Sequence, residues 1–360
     1  MVKRIREEQS CENGANLERK EEFNMITEWR KAVLCCLAGL AFILILTTNI
    51  FAAEYNMRIA SDVAASHSWG RASELLKKYI EEVTKGRIKV EVYHAGTLGK
   101  TREAMEMVKM GTLEVALGGV SHIQRHVAEL GILGLPYLWK DSETMFQTLD
   151  GALGKYMESR LDAVGFHTLG FWDNGFRHIT NNRKPILSVA DLKGLKIRTM
   201  PNPVHIAFFK ALGAAPTPMD WTEVFEALRT GVIDAQENPI AQIYAAKLVE
   251  VQKYCSLTAH VNEPAAVVMS KIFYSKLPDD LKLAVNTAAR KATLWQRVEN
   301  GKDNQKFLND LKEAGMKINT PSDASIAEFR KIGIQGYEDV VRGFGKMGKE
   351  ITELLVWANK

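Results

Sequence analysis

Two arginines stand in strand-like stretches of this 360-residue chain, where a charged side chain is unusual. Arg177 lies in the run WDNGFRHIT, and Arg198 lies in DLKGLKIRTM, where polar and apolar residues alternate. A guanidinium at the end of a strand needs a fixed anionic partner, and its planar donor fork matches a carboxylate in two parallel hydrogen bonds. The pattern therefore points to carboxylate recognition, with an internal salt bridge or simple exposure as the alternatives.

A phosphate-binding loop is the second chemistry that the sequence offers. The segment HAGTLGKT, from His94 to Thr101, lies between a predicted strand and a predicted helix, as a P-loop would. The first glycine of the G-x-x-x-x-G-K-[ST] pattern falls at His94, and an imidazole cannot make the tight turn that brings backbone amides onto phosphate. The segment therefore does not predict a nucleotide site.

Metal and nucleophile patterns are equally incomplete. His122 and His126 have a spacing that can place two imidazoles on one metal, but HIQRH lacks the glutamate of H-E-x-x-H. The G-x-S-x-G elbow does not occur in the sequence, and Cys255 is predicted to be a small buried hydrophobe. The sequence therefore predicts no catalytic residue, no metal site and no cofactor.

Composition narrows the class of protein. With 46% hydrophobic and 25% charged residues, the chain matches the averages for soluble globular proteins, which excludes a disordered or polytopic membrane protein. Its length predicts about two domains. The 47 basic and 43 acidic residues leave a net charge of +4, without the basic stripe that nucleic-acid binding requires.

The N-terminal region is typical of an exported protein. Ala32–Thr48 has no charged residue. It follows the basic pair Arg30 and Lys31 and ends near the small residues Ala52 and Ala53, which is the order of a secretory signal. An uncleaved membrane anchor is the alternative interpretation. We expect residues 1–53 to form an N-terminal extension and a cleavable signal peptide that is cut near Ala53. Translation from Met25 would give a conventional short basic region.

Strands and helices alternate along the mature chain, and the order β-α-β-α-β at its start predicts a parallel sheet with helices on its faces. The final predicted helix is long enough to cross between two lobes, and two lobes without a linker imply that the chain passes between them more than once. The predicted strands are Tyr55–Ala60, Ile88–Tyr93, Val115–Leu117, His167–Phe171, Arg177–Thr180, Lys196–Thr199 and Ala265–Ser270. The predicted helices are Ser66–Thr84, Thr101–Met110, Ser142–Val164, Val204–Leu212, Trp221–Thr230 and Asp279–Ala314.

Three runs in a fixed order carry a family resemblance. They are FWDNGFRHITNNRKPI (171–186), DLKGLKIRTM (191–200) and FKALGAAPTPMDWTEVFEALRTGVIDAQENP (209–239). Together they closely resemble the substrate-binding proteins of TRAP transporters, the DctP-like family, and the resemblance covers essentially the whole mature chain.

The resemblance implies an α/β, two-lobed periplasmic binding protein fold, with a ligand cleft between the lobes and a long helix spanning both. Lobe I is expected to comprise residues 54–175 plus 264–303, and lobe II residues 176–263 plus 304–360.

The function implied by the resemblance is capture of a small organic acid in the periplasm and its delivery to the small and large TRAP permease subunits. One alternative is an exported α/β enzyme acting on organic acids. Its nearest general base would be His178, which strand alternation turns away from the face used by Arg177. A second alternative is a sensor that presents its ligand to a membrane receptor.

Carried over position by position, the resemblance assigns four residues of the second lobe. Arg198 forms a two-pronged salt bridge with the ligand carboxylate, and Arg177 supports the same or a neighbouring oxygen. Asn238 hydrogen-bonds the carboxylate or the adjacent group, and Trp221 packs on the ligand. The spacings of 21 residues from Arg177 to Arg198, and of 23 and 40 residues from Arg198 to the other two, fit the family pattern.

The resemblance also implies that segments of the first lobe approach the cleft. Its expected contributors are His67, Trp69, Trp172 and Asn174. Thr101 stands where many members of the family carry an acidic residue that contacts ligand hydroxyls. A second strong cation for a second carboxylate is not evident, so a sugar acid is favoured over a C4-dicarboxylate, a keto acid or an aromatic acid.

Overall fold

The computed structural model of the protein describes Met25, residues 27–36 and residues 53–358. Residues 27–36 form helix α1, which belongs to a unit separate from the one that begins at Ala53. Residues 37–52, with most of the predicted apolar run and the approach to the predicted cut, lie outside the described residues. Within the described residues, no helix is both long and apolar enough to cross a membrane.

Two sheets organise residues 53–358. The first has the strand order β2-β1-β3-β10-β4, and the second has the order β11-β9-β5-β8-β6-β7. The strands are β1 (Tyr55–Ala60), β2 (Ile88–Tyr93), β3 (Val115–Gly119), β4 (Phe166–Trp172), β5 (Phe176–Asn181), β6 (Lys196–Thr199), β7 (Ala215–Pro218), β8 (Ala235–Pro239), β9 (Tyr254–Asn262), β10 (Ala265–Ser270) and β11 (Lys317–Asn319).

Helices cover both sheets. They are α2 (Ser68–Val83), α3 (Thr101–Met110), α4 (Val120–Ile123), α5 (Ser142–Leu149), α6 (Ala152–Ala163), α7 (Pro203–Ala211), α8 (Trp221–Arg229), α9 (Ile240–Ala245), α10 (Lys271–Lys276), α11 (Asp279–Glu313), α12 (Asp323–Arg342) and α13 (Gly345–Ala358). Short 3-10 helices occur at Ala128–Gly134, Val189–Leu192 and Leu248–Glu250.

Two expectations from the sequence were wrong in detail. The first sheet is mixed, because β10 runs antiparallel to both β3 and β4, although β1 is parallel to β2 and β3 as predicted. The single helix predicted over Ser142–Val164 is two helices, α5 and α6. The chain turns at Asp150 and Gly151, and a Cβ on Gly154 would lie only 1.7 Å from the Leu149 carbonyl oxygen, so α6 starts against the end of α5.

The first sheet is buried on both faces. Along β10, Val267 and Met269 join a core cluster with helix α2, whereas Ala266 and Val268 join a second cluster on the opposite face. Successive side chains of a strand point to opposite faces, so a strand covered on both sides is apolar throughout. The strand AAVVMS is therefore apolar up to Ser270, and all six of its residues are buried.

The chain crosses between the sheets where the cleft forms. Residues 173–175 connect β4 of the first sheet to β5 of the second, and residues 263–264 connect β9 of the second sheet to β10 of the first. Helix α11, 35 residues long, packs against α2 and β4 on one side and α9 on the other. These crossings place Asn174 and Glu263 at the junction of the two sheets.

The centre of the second sheet brings the predicted polar residues together. Arg177 lies on β5, Asn238 on β8 and Arg198 on β6, and β8 pairs with both of the other strands. In the β5–β8 register, Arg177 lies opposite Pro239, and His178 lies opposite Asn238. Residues that are 21 and 40 positions apart in sequence thus become neighbours on one sheet.

Helix α12 reaches the second sheet through a close contact with α7. A Cβ on Gly333 would lie 2.1 and 2.2 Å from two ring carbons of Phe208. That ring is itself held by an edge contact with Phe209 and by stacking on His260, so it has little room to move.

We predict that Gly333→Ala destabilises the protein by about 1–3 kcal/mol, because an added methyl overpacks this contact. Gly301→Ala, within α11, is the matched control, since nothing lies within 4 Å of its Cβ position. The control should gain up to about 1 kcal/mol from helix propensity. Urea unfolding of both variants checks this, and equal stability of the two would contradict the packing argument.

Candidate functional site

A small chamber lies where the crossing segments meet the centre of the second sheet. Its open volume is about 30 Å³, comparable to the share of liquid volume taken by one water. This volume is smaller than an organic acid, so the chamber must widen to admit one. The chamber is lined by Asp62, Val63, Trp69, Gly118, Gly119, His122, Asn174, Arg177, Arg198, Met200, Trp221, Asn238, Gln242 and Glu263.

One of the two arginines of the chamber is neutralised by the protein itself. The Nε of Arg177 donates to Glu237 Oε2 at 2.5 Å, and a terminal nitrogen donates to Oε1 at 2.7 Å. Both side chains are about 1% exposed. His260 adds a contact of 3.1 Å to Glu237 Oε2. Burial alone would raise the pKa of Glu237, but the charge of Arg177 and these hydrogen bonds hold that pKa well below its usual range.

Arg198 is buried to the same degree but lacks a counterpart. Its Nε donates to the Met219 carbonyl at 2.9 Å, while its Nη2 has no hydrogen-bond partner among the described residues. Within residues 53–358 its guanidinium forms no salt bridge. Burial, with repulsion from Arg177, lowers the pKa of Arg198 to about 10, so it still carries its charge at neutral pH. The carboxyl groups of Glu237, Asp62 and Asp220 act on this charge only from a distance. A buried cation without a directly bonded anion is costly, and this one faces the chamber.

Trp221 and Asn238 complete the surroundings of Arg198. The Arg198 guanidinium carbon lies 5.8 Å from the centre of the Trp221 ring, within the range of a cation–π contact. The Asn238 amide nitrogen donates to Gln236 Oε1, which fixes the orientation of the side chain. The chamber therefore offers a cationic fork beside an aromatic wall.

The first lobe supplies the chamber with two side chains that can accept hydrogen bonds, those of His122 and Asp62. Nδ1 of His122 lies 3.3 Å from the Gly119 carbonyl oxygen. Because a carbonyl only accepts, Nδ1 carries the proton and Nε2 is left as an acceptor. Burial and the charge of Arg198 lower the pKa of His122 to about 4. Beside it, Asp62 accepts a hydrogen bond from the hydroxyl of Thr101, and burial raises the pKa of this carboxyl group.

Glu263 adds another carboxyl group at the point where the chain crosses between the sheets. One of its oxygens accepts from Ser121, which in turn accepts from Asn202 of the second lobe at 2.8 Å. The other oxygen is buried and has no partner among the described residues. Burial raises the pKa of Glu263. A Cβ on Gly119 would lie 2.3 Å from that unpartnered oxygen, so a glycine is needed for the carboxyl group to reach this position.

Most of the predicted site residues line the chamber, and three do not. Arg198, Arg177, Asn238, Trp221 and Asn174 all line it, as does Trp69. The three that do not line it are His67, Trp172 and Thr101.

His67 caps α2 by accepting from the backbone NH of Trp69, and its ring makes an edge contact with the Trp69 ring. Trp172 lies in the core of the first lobe, where its indole donates to Thr293 at 3.0 Å. Thr101 reaches the chamber only through Asp62.

The residues that sequence reasoning missed are Asp62, His122, Gln242, Glu237 and Glu263. Asp62 follows the carboxyl end of β1, the edge at which open α/β sheets bind ligands, so its position held a usable signal. His122 was considered only as part of a metal pair, and His126 instead contacts Glu106 and Phe166. Among the described residues, no group of three or more histidine, cysteine or acidic side chains could hold a metal ion.

The mouth of the chamber is bridged by ion pairs between the lobes. Lys100, at the start of α3, lies 3.5 Å from Asp220 and also contacts Glu223, both at the start of α8. Arg102 lies 3.2 Å from Asp220. The cations Lys100 and Arg102 are more than a third exposed, whereas Asp220 is 14% exposed. Pairs with an exposed partner contribute little, about 0–1 kcal/mol each when both partners are at the surface. They therefore favour the closed arrangement only weakly, which leaves most of the closing free energy to whatever binds inside.

His178, the candidate base of the enzyme alternative, does not face the chamber. Its Nδ1 accepts from the backbone NH of Ala259 at 3.1 Å, and it lines a separate cavity with Phe176 and Leu257. The strand alternation inferred from sequence is therefore confirmed at this position.

Comparison with known proteins places these features in a family. The model of bacterial extracellular solute-binding protein family 7, DctP, matches residues 59–342. The 2,3-diketo-L-gulonate-binding periplasmic protein YiaO of Escherichia coli is 36% identical over 80% of this chain and 86% of its own length. The C4-dicarboxylate-binding periplasmic protein DctP of Rhodobacter capsulatus is 31% identical over 79% of this chain and 86% of its own.

A solved structure shares the fold closely. The sugar acid binding protein DctPAm of Advenella mimigardefordensis, crystallised with galactonate, superposes with a TM-score of 0.81 and 31% identity. The superposition covers 84% of this chain and 97% of that one. The two-lobed α/β fold expected from the sequence is confirmed.

We predict that Glu237→Gln destabilises the protein by about 3–5 kcal/mol, because it leaves the buried charge of Arg177 without its partner. The double variant Arg177→Met/Glu237→Met removes both charges and should recover most of the loss. Chemical denaturation of the three proteins at pH 7 measures the difference. A Gln variant as stable as the parent would show that Arg177 does not depend on Glu237.

Proposed function

The chain belongs to the DctP family of TRAP transporter substrate-binding proteins, and we propose that it captures a sugar acid, an aldonate or uronate, through a salt bridge to Arg198. The observation that carries this proposal is the buried, charged guanidinium of Arg198. Among the described residues it has no carboxylate within salt-bridge distance, while its neighbour Arg177 has one. A ligand carboxylate would supply the missing anion in two parallel hydrogen bonds.

The remainder of the chamber favours a hydroxylated ligand over a second carboxylate. Away from Arg198, the polar groups are Nε2 of His122, the carboxyl groups of Asp62 and Glu263, and side-chain amides. A carboxyl group in either protonation state accepts a hydrogen bond from a hydroxyl, whereas two carboxylates facing each other repel. Trp221 offers a flat apolar surface for the C–H face of a sugar. Two of the three similar proteins named above, YiaO and DctPAm, are named for sugar acids or were crystallised with one, which supports this assignment, whereas the third is named for C4-dicarboxylates.

Capture and release follow from lobe closure. The chamber is smaller than a sugar acid. The ligand therefore binds between separated lobes and is then enclosed, as in hinge closure around ligands. Closure removes water and strengthens each charge-assisted hydrogen bond to about 1.5–3 kcal/mol. The ion pairs of Lys100 and Arg102 join the lobes in the closed state. Because these pairs are weak, breaking them requires little free energy when the lobes reopen at the permease.

The setting of this function follows the family. We take residues 54–175 plus 264–303 as lobe I and residues 176–263 plus 304–360 as lobe II, which agrees with the membership of the two sheets. The protein acts in the periplasm after its signal peptide is cut near Ala53, and it delivers its ligand to the TRAP permease subunits. We propose that it binds and does not catalyse, because the members of the family that it matches are solute-binding proteins.

A panel of organic acids tests the substrate class. At 100 times its Kd, a ligand adds about 2.7 kcal/mol of stability, so thermal unfolding with aldonates, uronates, succinate and pyruvate ranks them directly. Sugar acids should stabilise the protein most, and calorimetry on the strongest gives the Kd. Tighter binding of succinate than of every sugar acid would overturn the assignment, and turnover of any acid would favour the enzyme alternative.

Arg198→Met should separate binding from stability. We expect the binding free energy for the acid to weaken by about 2–5 kcal/mol, roughly one and a half to three and a half orders of magnitude in Kd. The ligand-free protein should be at least as stable as the parent, because the uncompensated charge is gone. Arg198→Lys should regain only part of the affinity, since an ammonium group lacks the planar fork. Unchanged affinity in Arg198→Met would remove Arg198 from the site.

A further inference from the structure

Residues 219–221 hold the guanidinium of Arg198 through two contacts. The Met219 carbonyl oxygen accepts from Arg198 Nε at 2.9 Å, and the centre of the Trp221 ring lies 5.8 Å from the guanidinium carbon. The Met219 backbone is tied in turn to β6, because its NH donates to the Thr199 carbonyl at 3.2 Å. The orientation of the Arg198 fork therefore depends on where this short segment lies.

Asp220, in the middle of this segment, reaches across the mouth of the cleft. Its carboxylate lies 3.5 Å from Lys100 Nζ and 3.2 Å from a terminal nitrogen of Arg102, both at the start of α3 in the first lobe. Burial alone would raise the pKa of Asp220, but the charges of Arg102 and Lys100 lower it, so the carboxyl group is ionised at neutral pH. One segment of the second lobe thus contacts both Arg198 and the first lobe.

The Asp220 carboxylate can make this contact because it does not cap its own helix. Asp220 occupies the N-cap position of α8, where an aspartate side chain commonly accepts a hydrogen bond from the first turn. Here it makes no such bond, and within the described residues its ion pairs are all with the first lobe. Capping of α8 therefore does not account for this carboxylate.

The first-lobe half of the contact is attached to the chamber as well. Thr101 lies between the two cations in the sequence, and its hydroxyl donates to Asp62, which lines the chamber. A Cβ on Gly118, another lining residue, would lie 2.4 Å from the Thr101 methyl carbon, so the start of α3 packs closely there. The two cations therefore reach Asp220 from a segment that the chamber wall fixes in place.

We infer, resting on the proposed function, that Asp220 is a positioning residue for anion capture. Its pairs with Lys100 and Arg102 form when the lobes close, and they fix residues 219–221. The fixed segment then holds the Arg198 fork on the ligand carboxylate. Asp220 is not among the residues that line the chamber, so it acts without touching the ligand. Because the pairs belong to the closed state, their loss speeds the dissociation of the acid.

Asp220→Asn tests this inference, because asparagine caps a helix as well as aspartate does but carries no charge. We expect the Kd of the acid to rise about three- to tenfold, as the loss of two weak ion pairs implies, with most of the change in the dissociation rate. A direct electrostatic role predicts the opposite, since removing a negative charge near an anionic ligand strengthens binding. Stopped-flow tryptophan fluorescence with galactonate or glucuronate, whichever binds the parent more tightly, gives both rate constants.

Glu226→Gln is the matched control. It removes the same charge from the same helix, but Glu226 pairs with Arg229 within its own lobe, so the Kd should stay within about twofold of the parent. Arg102→Gln completes a double-mutant cycle. If the two charges act as a pair, adding Arg102→Gln to Asp220→Asn weakens binding less than it weakens binding by the parent. Thermal unfolding without ligand checks that each variant is folded.

The outcomes separate this inference from the proposed function. An unchanged or lower Kd in Asp220→Asn, an equal loss in Glu226→Gln, or additive losses in the cycle would overturn the inference and leave the proposed function standing. A loss expressed only as slower association would also overturn it, because the pairs would then steer the ligand and not hold it. If the parent binds neither acid, the proposed function fails and this inference fails with it.

Discussion

Two guanidinium groups lie buried side by side in the cleft, and within the described residues the protein provides a carboxylate for one of them. Arg177 forms a salt bridge with Glu237, which His260 also contacts. The charge of Arg177 is therefore neutralised inside the second lobe. Arg198 has one hydrogen bond to a backbone carbonyl and a neighbouring positive charge. Burying such a group without an anion opposes folding, and the protein retains it where a ligand can reach it.

The rest of the structure follows from the need to present that charge and then enclose it. Adjacent strands β5, β8 and β6 fix the two arginines and Asn238 on one rigid sheet, whereas acceptors come from the first lobe. The crossing segments carry Asn174 and Glu263 into the same chamber. Since the ion pairs of Lys100 and Arg102 with Asp220 are only partly buried, the proposed function assigns most of the free energy of closure to the ligand carboxylate. Tight capture and ready release are thereby compatible.

Much of this could be predicted from the sequence because the family motifs are local. Arg198, Trp221 and Asn238 lie in recognisable runs, and the alternation of β5 correctly turned His178 away. The partner of Arg177 was harder to predict, because Glu237 is 60 residues distant and is brought close only by strand pairing. The segments that contain Asp62, His122 and Glu263 carry no motif. The proposed roles of these residues depend on their burial and on which side-chain atom is left without a hydrogen-bond partner among the described residues. The direction of β10 is set where the chain returns from the second sheet to the first. The local alternation of polar and apolar residues predicts a strand but not its direction.

A crystal structure of the protein with the sugar acid that binds most tightly tests the central claim most directly. The account predicts a ligand carboxylate on the two-pronged face of Arg198, with the Arg177–Glu237 pair intact and ligand hydroxyls on Asp62 and His122. A carboxylate bound by Arg177 in place of Glu237, or a ligand that leaves Arg198 without an anion, would contradict it.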